Sequence, residues 1–193
     1  MSAEPSVTQL FHELESRLDR EPEGSPVEIV HGVYLMSPRP LPRHGRIQGR
    51  LFGCLDALFG SPHGSDPPDW LFVIEPDVRS ERAFSRVAPD VAGWKRSARG
   101  WPDLYVTPVT QAPDWVAEVL SPSTETRDRG TKADVYGLMG VGTLWLVDPR
   151  AETVEVFQNV RGEMVAAGVY QKGDFLVGEP FGATAIPVTP LLT

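Results

Sequence analysis

The segment DWVAEVLS, residues 114–121, alternates so that Trp115, Ala117 and Val119 share one face of a strand while Val116, Glu118 and Leu120 share the other. Both faces are apolar, as in a strand covered on two sides. A chain carrying such a strand has to build a sheet with cover on each face, and it has to accommodate Glu118 inside. The run RVAPDVAGW, 86–94, repeats the problem, with Asp90 between Ala88 and Ala92 on its own face. A carboxylate taken out of water without a partner costs several kcal/mol or takes up a proton. An antiparallel pairing with a long connection would set Asp90 and Glu118 side by side, where they repel unless a cation lies between them. A hard divalent ion resolves this, and Mg²⁺ is well served by one or two carboxylates plus waters. The competing reading ends Asp90 in a turn after Pro89 and pairs Glu118 with a surface arginine.

Around these runs the spacing predicts further elements. Leu10, Leu14 and Leu18 recur at helical spacing in residues 7–20. PVEIVHGVYLMSP reads as a hairpin turning at His31-Gly32. From Arg43 to Phe59 a helix presents Ile47, Leu51, Leu55 and Leu58 as one stripe, with His44 a turn before Ile47 and Gln48 at its edge. A strand is expected over 70–78, and the polar stretch 95–112 forms a loop or flap. A helix opens at Ser123 or Thr124 as N-cap and runs to about Met139. A second hairpin, 143–158, turns at Asp148–Glu152, and further strands follow near 163–170 and 174–177. This order predicts an α/β (α+β) domain, a mixed β-sheet flanked by helices.

On the helix after Glu118, Lys132 projects beside Val135 and Met139 toward the face that packs on the sheet, with Tyr136 one turn along. Such a lysine can reach the strand ends and orient a water for attack on a phosphodiester. Its competing reading is an exposed i,i+4 pair with Asp128, worth a few tenths of a kcal/mol.

Composition narrows the class. A chain of 193 residues suits one domain with a substantial core. The single cysteine, Cys54, excludes an internal disulfide framework and a multi-cysteine zinc site within one chain. No apolar run approaches the ~20 residues that span a bilayer. The acidic N-terminus has no secretory pattern, so a cytoplasmic location is expected. The net charge of −8 argues against bulk attraction to nucleic acid. Local cations run the other way. RPLPRHGRIQGR, 39–50, brings Arg39, Arg43 and Arg46 with no carboxylate, Lys95 and Arg96 open the flap, and Arg127 stands near Lys132. Converging on a site rim, they would bind a phosphate backbone.

Pro89-Asp90, then AEVLSPST, then RDRGTKADVYGLMGVGTLWLVDP resemble the Uma2-like family (DUF820) of restriction-endonuclease-type proteins, which is similar to the PD-(D/E)XK nuclease superfamily. VEIVHGVYLMSPRPLPRH resembles that family's opening hairpin and histidine. The resemblance implies a restriction-endonuclease-like core with an extra N-terminal hairpin and C-terminal strands. Residues 1–25 would be an N-terminal helix and linker, and 26–193 a single domain. It implies a metal-dependent endonuclease acting on DNA, with Mg²⁺ or Mn²⁺ held by Asp90 and Glu118. The superfamily's lysine position, two residues after the acid, is Leu120 here, and Lys132 matches the family's lysine on the following helix. Glu28 and His44 match recurring accessory positions, and Gln48 and Tyr136 stand beside them. A homodimer would supply two cuts. The alternative is a catalytically silent module of the same fold that binds nucleic acid or protein.

Overall fold

Two prolines decide how the strands are shared between sheets. Pro76 and Pro89 have no N–H to give to a ladder, and each long β-rich run breaks there. The expected strand 70–78 becomes β3 (Trp70–Ile74) and β4 (Val78–Ser80), and the expected strand 86–94 becomes β5 (Ser85–Val87) and β6 (Val91–Lys95). In the computed structural model, which describes residues 5–22, 24–37, 40–60, 69–96 and 100–193, β3 and β6 belong to one sheet and β4 and β5 to another. The chain crosses between sheets twice, and the crossings lie against each other, with the Glu75 N–H donating to the Asp90 carbonyl at 3.2 Å. Glu75 takes a positive φ of 48° to make its bend.

The smaller sheet has the order β2-β1-β5-β4, where β1 (Val27–Val30) and β2 (Val33–Met36) form the expected hairpin. Its turn places both His31 and Gly32 at positive φ, 48° and 71°, the type I′ geometry that matches strand twist. The main sheet has the order β10-β9-β8-β7-β6-β3, with β7 (Trp115–Val119), β8 (Thr143–Asp148), β9 (Thr153–Val160) and β10 (Glu163–Gln171). Among the described strands of this sheet β7 and β8 run parallel and the other neighbours antiparallel, and the crossover between β7 and β8 is helical. That crossover comprises α3 (Glu125–Arg127), a π-helical stretch Asp128–Lys132, and α4 (Ala133–Met139), ended by Gly140 in the left-handed region.

Both faces of the main sheet are covered, as the doubly apolar pattern of β7 requires. On one side Trp115, Ala117, Val119 and Trp145 pack against Ile47, Leu51 and Leu55 of α2 (Pro42–Leu55) and against the C-terminal segment through Phe181, Ile186 and Leu191. On the other, Val116, Leu120, Leu144 and Leu146 meet Val135 and Tyr136 of the crossover helix and Val30, Val78 and Val87 of the small sheet. The chain closes with β11 (Phe175–Leu176) paired to β12 (Ile186–Pro187), a strand that periodicity did not reveal.

Two local expectations are corrected. In α1 (Val7–Leu18) the buried side chain is Phe11, edge-on to Phe84 at 5.9 Å, while Leu10 is exposed. Thr124 is the cap residue of α3, but its side chain makes no capping hydrogen bond.

Candidate active site

Asp90 occupies the bend between β5 and β6 rather than a strand interior. Because β6 and β7 are antiparallel with Val91 opposite Ala117, the next position brings Asp90 beside Glu118. Four groups fix Asp90. Its Oδ2 accepts from the Val119 N–H at 2.6 Å, and its Oδ1 lies 2.8 Å from His44 Nε2. Its backbone carbonyl accepts from Gln48 Nε2 at 2.9 Å and from the Glu75 N–H. Gln48 also donates to Glu75 Oε1 at 3.0 Å, so α2 clamps the crossing from above. The helical stripe that packs Ile47 and Leu51 on the sheet delivers His44 and Gln48 to the same spot.

Glu118 is 3% exposed and receives two donors on Oε1: the Tyr136 hydroxyl, and Lys132 Nζ at 2.5 Å. Among the described residues no hydrogen bond reaches its Oε2. Lys132, 2% exposed, also contacts Glu28 Oε1 at 3.1 Å and the Ala88 carbonyl at 3.5 Å. Glu28, from β1, accepts the Ala88 N–H at 3.0 Å. The ammonium therefore bridges an acid from the small sheet and an acid from the main sheet. The competing reading, an exposed pair of Asp128 with Lys132, does not hold: both are buried.

Burial and charge compete at each group. Burial alone would lower the Lys132 pKa, but Glu118 and Glu28 overcome it and hold it well above the ordinary lysine range. Burial raises the Glu118 pKa, Lys132 opposes that, and Asp90, Asp128 and Glu28 add to it, leaving it well above the usual carboxylate range. Glu28 is buried too, yet Lys132, the Ala88 N–H and Arg127 pull its pKa below the usual value. Burial and Glu118 push the Tyr136 phenol well up. Burial would lower His44, but the hydrogen bond and charge of Asp90, with Glu75 and Asp128, raise it.

Of the predicted cations, Arg127 stands by a site acid, Arg43 and Arg46 lie on the helix start that carries His44, and Lys95 and Arg96 stand apart. Arg43 and Arg46 are exposed on the first turns of α2, beside His44, and Arg43 donates to the Pro149 carbonyl at 2.8 Å. Arg127 donates to Ser37 Oγ at 2.8 Å and stands 3.7 Å from Glu28. Lys95 and Arg96 are not brought in. They stand at the opposite end of β6 from Asp90, about 17 Å away at the rise of an extended strand. Arg39 lies outside the described residues. Arg129, next to Lys132 in sequence, is committed to Glu155 at 2.7 Å and Glu125 at 3.0 Å.

Sequence reasoning missed Asp128 as a site group. It is 3% exposed, and its Oδ1 has no hydrogen-bond partner. The signal was its spacing, four residues before Lys132 and eight before Tyr136, which sets all three on one face of the helical crossover.

The donors suit a hard cation. Glu28, Asp90, Glu118 and Asp128 share this region with two permanent cations, Lys132 and Arg127, and one imidazole. The Asp128 Oδ1 is left without a hydrogen-bond partner. Oxygen donors of this kind select magnesium or manganese over softer metals. Among the described residues no three His, Cys, Asp or Glu side chains stand together as a metal-holding group. An ion here would thus rest on Asp90 and Glu118, with water completing its coordination.

A mixed sheet with one parallel helical crossover, antiparallel flanks and an added N-terminal hairpin defines a restriction-endonuclease-like α/β protein. The chain belongs to the Uma2 family, whose model carries the description "putative restriction endonuclease" and matches residues 8–189. Its fold is similar to a crystal structure described as "a putative nuclease belonging to DUF820" from Anabaena variabilis. That likeness has a TM-score of 0.71 and 20% sequence identity, covering 93% of this chain and 96% of the other. No curated protein matches the sequence. No helix among the described residues is long and apolar enough to cross a membrane.

Proposed function

We propose that this chain is a metal-dependent endonuclease that hydrolyses DNA phosphodiester bonds, with Asp90, Glu118 and Lys132 as catalytic residues. Magnesium or manganese would be held by Asp90 and Glu118; when bound, the ion stabilises charge on the phosphate and lowers the pKa of a coordinated water. The observation that carries the reading is the Lys132 ammonium, buried at 2.5 Å from Glu118 and next to the Asp90 bend. A cation placed there from a helix takes the role of the lysine that the sequence lacks at Leu120.

The residues then have separate tasks. Lys132 orients the attacking water and offsets charge that develops on the phosphate. Glu28 holds the ammonium in place, and Tyr136 fixes the Glu118 carboxylate. Gln48 fixes the Asp90 backbone. His44, whose pKa Asp90 raises, faces the phosphate from the helix start. Arg43, Arg46 and Arg127, together with Arg39, hold the DNA backbone. The cytoplasm is the compartment this reading assigns, residues 26–193 form the catalytic domain, and a homodimer would let two sites cut two strands.

One observation favours a second reading. Lys132 already offsets part of the Glu118 charge in a buried ion pair with no metal, which suits a silent module that binds nucleic acid or protein. Supercoiled plasmid incubated with the purified protein and Mg²⁺ or Mn²⁺ separates the two. Nicking that disappears in Asp90→Asn and Glu118→Gln, both folded by circular dichroism, supports the nuclease. Nicking that survives both substitutions rejects this assignment, and no divalent binding at millimolar concentration favours the silent module.

A further inference from the structure

We propose that Asp128 is a third acidic residue of the metal site, which recruits the divalent ion by accepting, at Oδ1, a hydrogen bond from a water bound to that ion. The inference rests on the metal-dependent reading above and adds a residue to it.

The first support is an unmet valence. Asp128 is 3% exposed, and its Oδ1 has no hydrogen-bond partner. Leaving such an atom bare costs about 1–3 kcal/mol, more for a charged group. The Thr124 hydroxyl is the neighbouring side-chain donor that acts on the carboxylate. The nearest guanidinium nitrogen, Arg127 Nε, lies 3.6 Å away and is itself buried without a partner. An open acceptor and an open donor therefore stand side by side with nothing from the protein to fill them.

The second support is location. Arg127 stands 3.6 Å from Asp128 and 3.7 Å from Glu28, and Glu28 shares Lys132 with Glu118. Asp128 is thus linked through two cations to the acids of the proposed site. The π-helical stretch that begins with Asp128 ends with Lys132, so one short segment brings both groups to the interior. Such stretches are frequent at functional sites, where they re-aim side chains.

Charge decides between water alone and water on an ion. A single water could satisfy both open atoms, but it would bring no positive charge to the acids that share Lys132 and Arg127. A hydrated divalent ion does both, because its bound water donates a hydrogen bond and its charge supports the neighbouring carboxylates. A carboxylate one layer out from the ligands would have a large effect, since such groups typically change metal affinity 10- to 100-fold.

The test is calorimetric titration of Mn²⁺ into the full chain without DNA, comparing wild type, Asp128→Asn and Asp90→Asn. Expected is one site in wild type, at least tenfold weaker binding in Asp128→Asn, and binding lost in Asp90→Asn. The metal-free melting temperature of Asp128→Asn should be unchanged or higher, because a buried charge that lacks a hydrogen bond at Oδ1 is gone. Wild-type affinity in Asp128→Asn would overturn this inference and leave the metal-dependent reading intact. No Mn²⁺ binding by wild type would overturn both. If the Asn variant does not fold, Asp128→Ser removes the same charge while keeping a hydroxyl for Thr124, and the same comparison applies.

Discussion

Replacing Lys132 by methionine tests whether the centre of this molecule is held by charge. The two side chains have similar length, so the contact with the Tyr136 ring is largely kept, and the change is electrostatic. In the native protein Nζ lies 2.5 Å from Glu118 and 3.1 Å from Glu28, with both acids buried. Removing one member of a buried pair costs about 3–5 kcal/mol, because the remaining charge has no compensation. For a chain of this length that corresponds to a fall in melting temperature of roughly 6–20 °C. The pH dependence gives an independent check. Without the ammonium, both acids would have folded-state pKa values above their unfolded ones, so the native state binds protons more tightly. The deficit is therefore smallest near pH 4.5 and grows as pH rises through the window between the unfolded and folded values. Urea denaturation at pH 5 and pH 8 measures it, and Lys132→Met combined with Glu118→Gln should recover part of the loss. A loss below 1 kcal/mol at pH 8, or one that does not change with pH, would refute the buried-charge argument.

Other expectations follow from the same coordinates. Gly137→Ala would place a Cβ 2.3 Å from the Gly162 carbonyl on the β9–β10 turn; the resulting overpacking, typically 1–3 kcal/mol, outweighs the gain in helix propensity. Its control, Gly49→Ala, meets nothing within 4 Å on α2 and should stabilise by about 0.5–1 kcal/mol, both read by chemical denaturation. Phe11→Ala removes the buried anchor of α1, with an expected loss of about 3 kcal/mol and faster amide exchange in α1; a loss under 1 kcal/mol would make α1 an appendage. Mn²⁺ at about 100 times its Kd should stabilise the wild type by about 2.7 kcal/mol. EDTA should reverse that gain and Asp90→Asn should lack it, whereas a melting curve indifferent to Mn²⁺ would count against the metal site.

What could be read from the chain was whatever depends on near neighbours. The alternation of Trp115–Leu120, the His31-Gly32 turn and the Ile47–Leu51–Leu55 stripe are local, and each lies where its period puts it. The divisions of 70–78 and 86–94 were harder, because apolar residues continue on both sides of Pro76 and Pro89 while the chain changes sheets. The prolines were the available sign. Lys95 and Arg96 show how one-dimensional charge runs mislead. A strand carries its two ends far apart, so five residues are enough to take a cation out of reach of Asp90. Asp128 was hidden because its spacing from Lys132 fits an exposed ion pair as well as a buried one. Only the packing of the helical crossover on the sheet decides which face is inside.

The two acids that share Lys132 differ in what else supports them. Glu28 also has the Ala88 N–H and the nearby Arg127, and its pKa is lowered. Glu118 has Lys132 and Tyr136 on one oxygen and is opposed by Asp90 and Asp128, and its pKa is raised. The ammonium is thus tied to a partner that stays ionised and presented to one that is short of positive charge. A divalent ion at Glu118 would supply that missing charge without releasing the lysine, since Glu28 and the Ala88 carbonyl still hold it. A lysine so tethered from the small sheet can act on a water beside the main sheet, and the chain crossings at Pro76 and Pro89 are what bring those two sheets together.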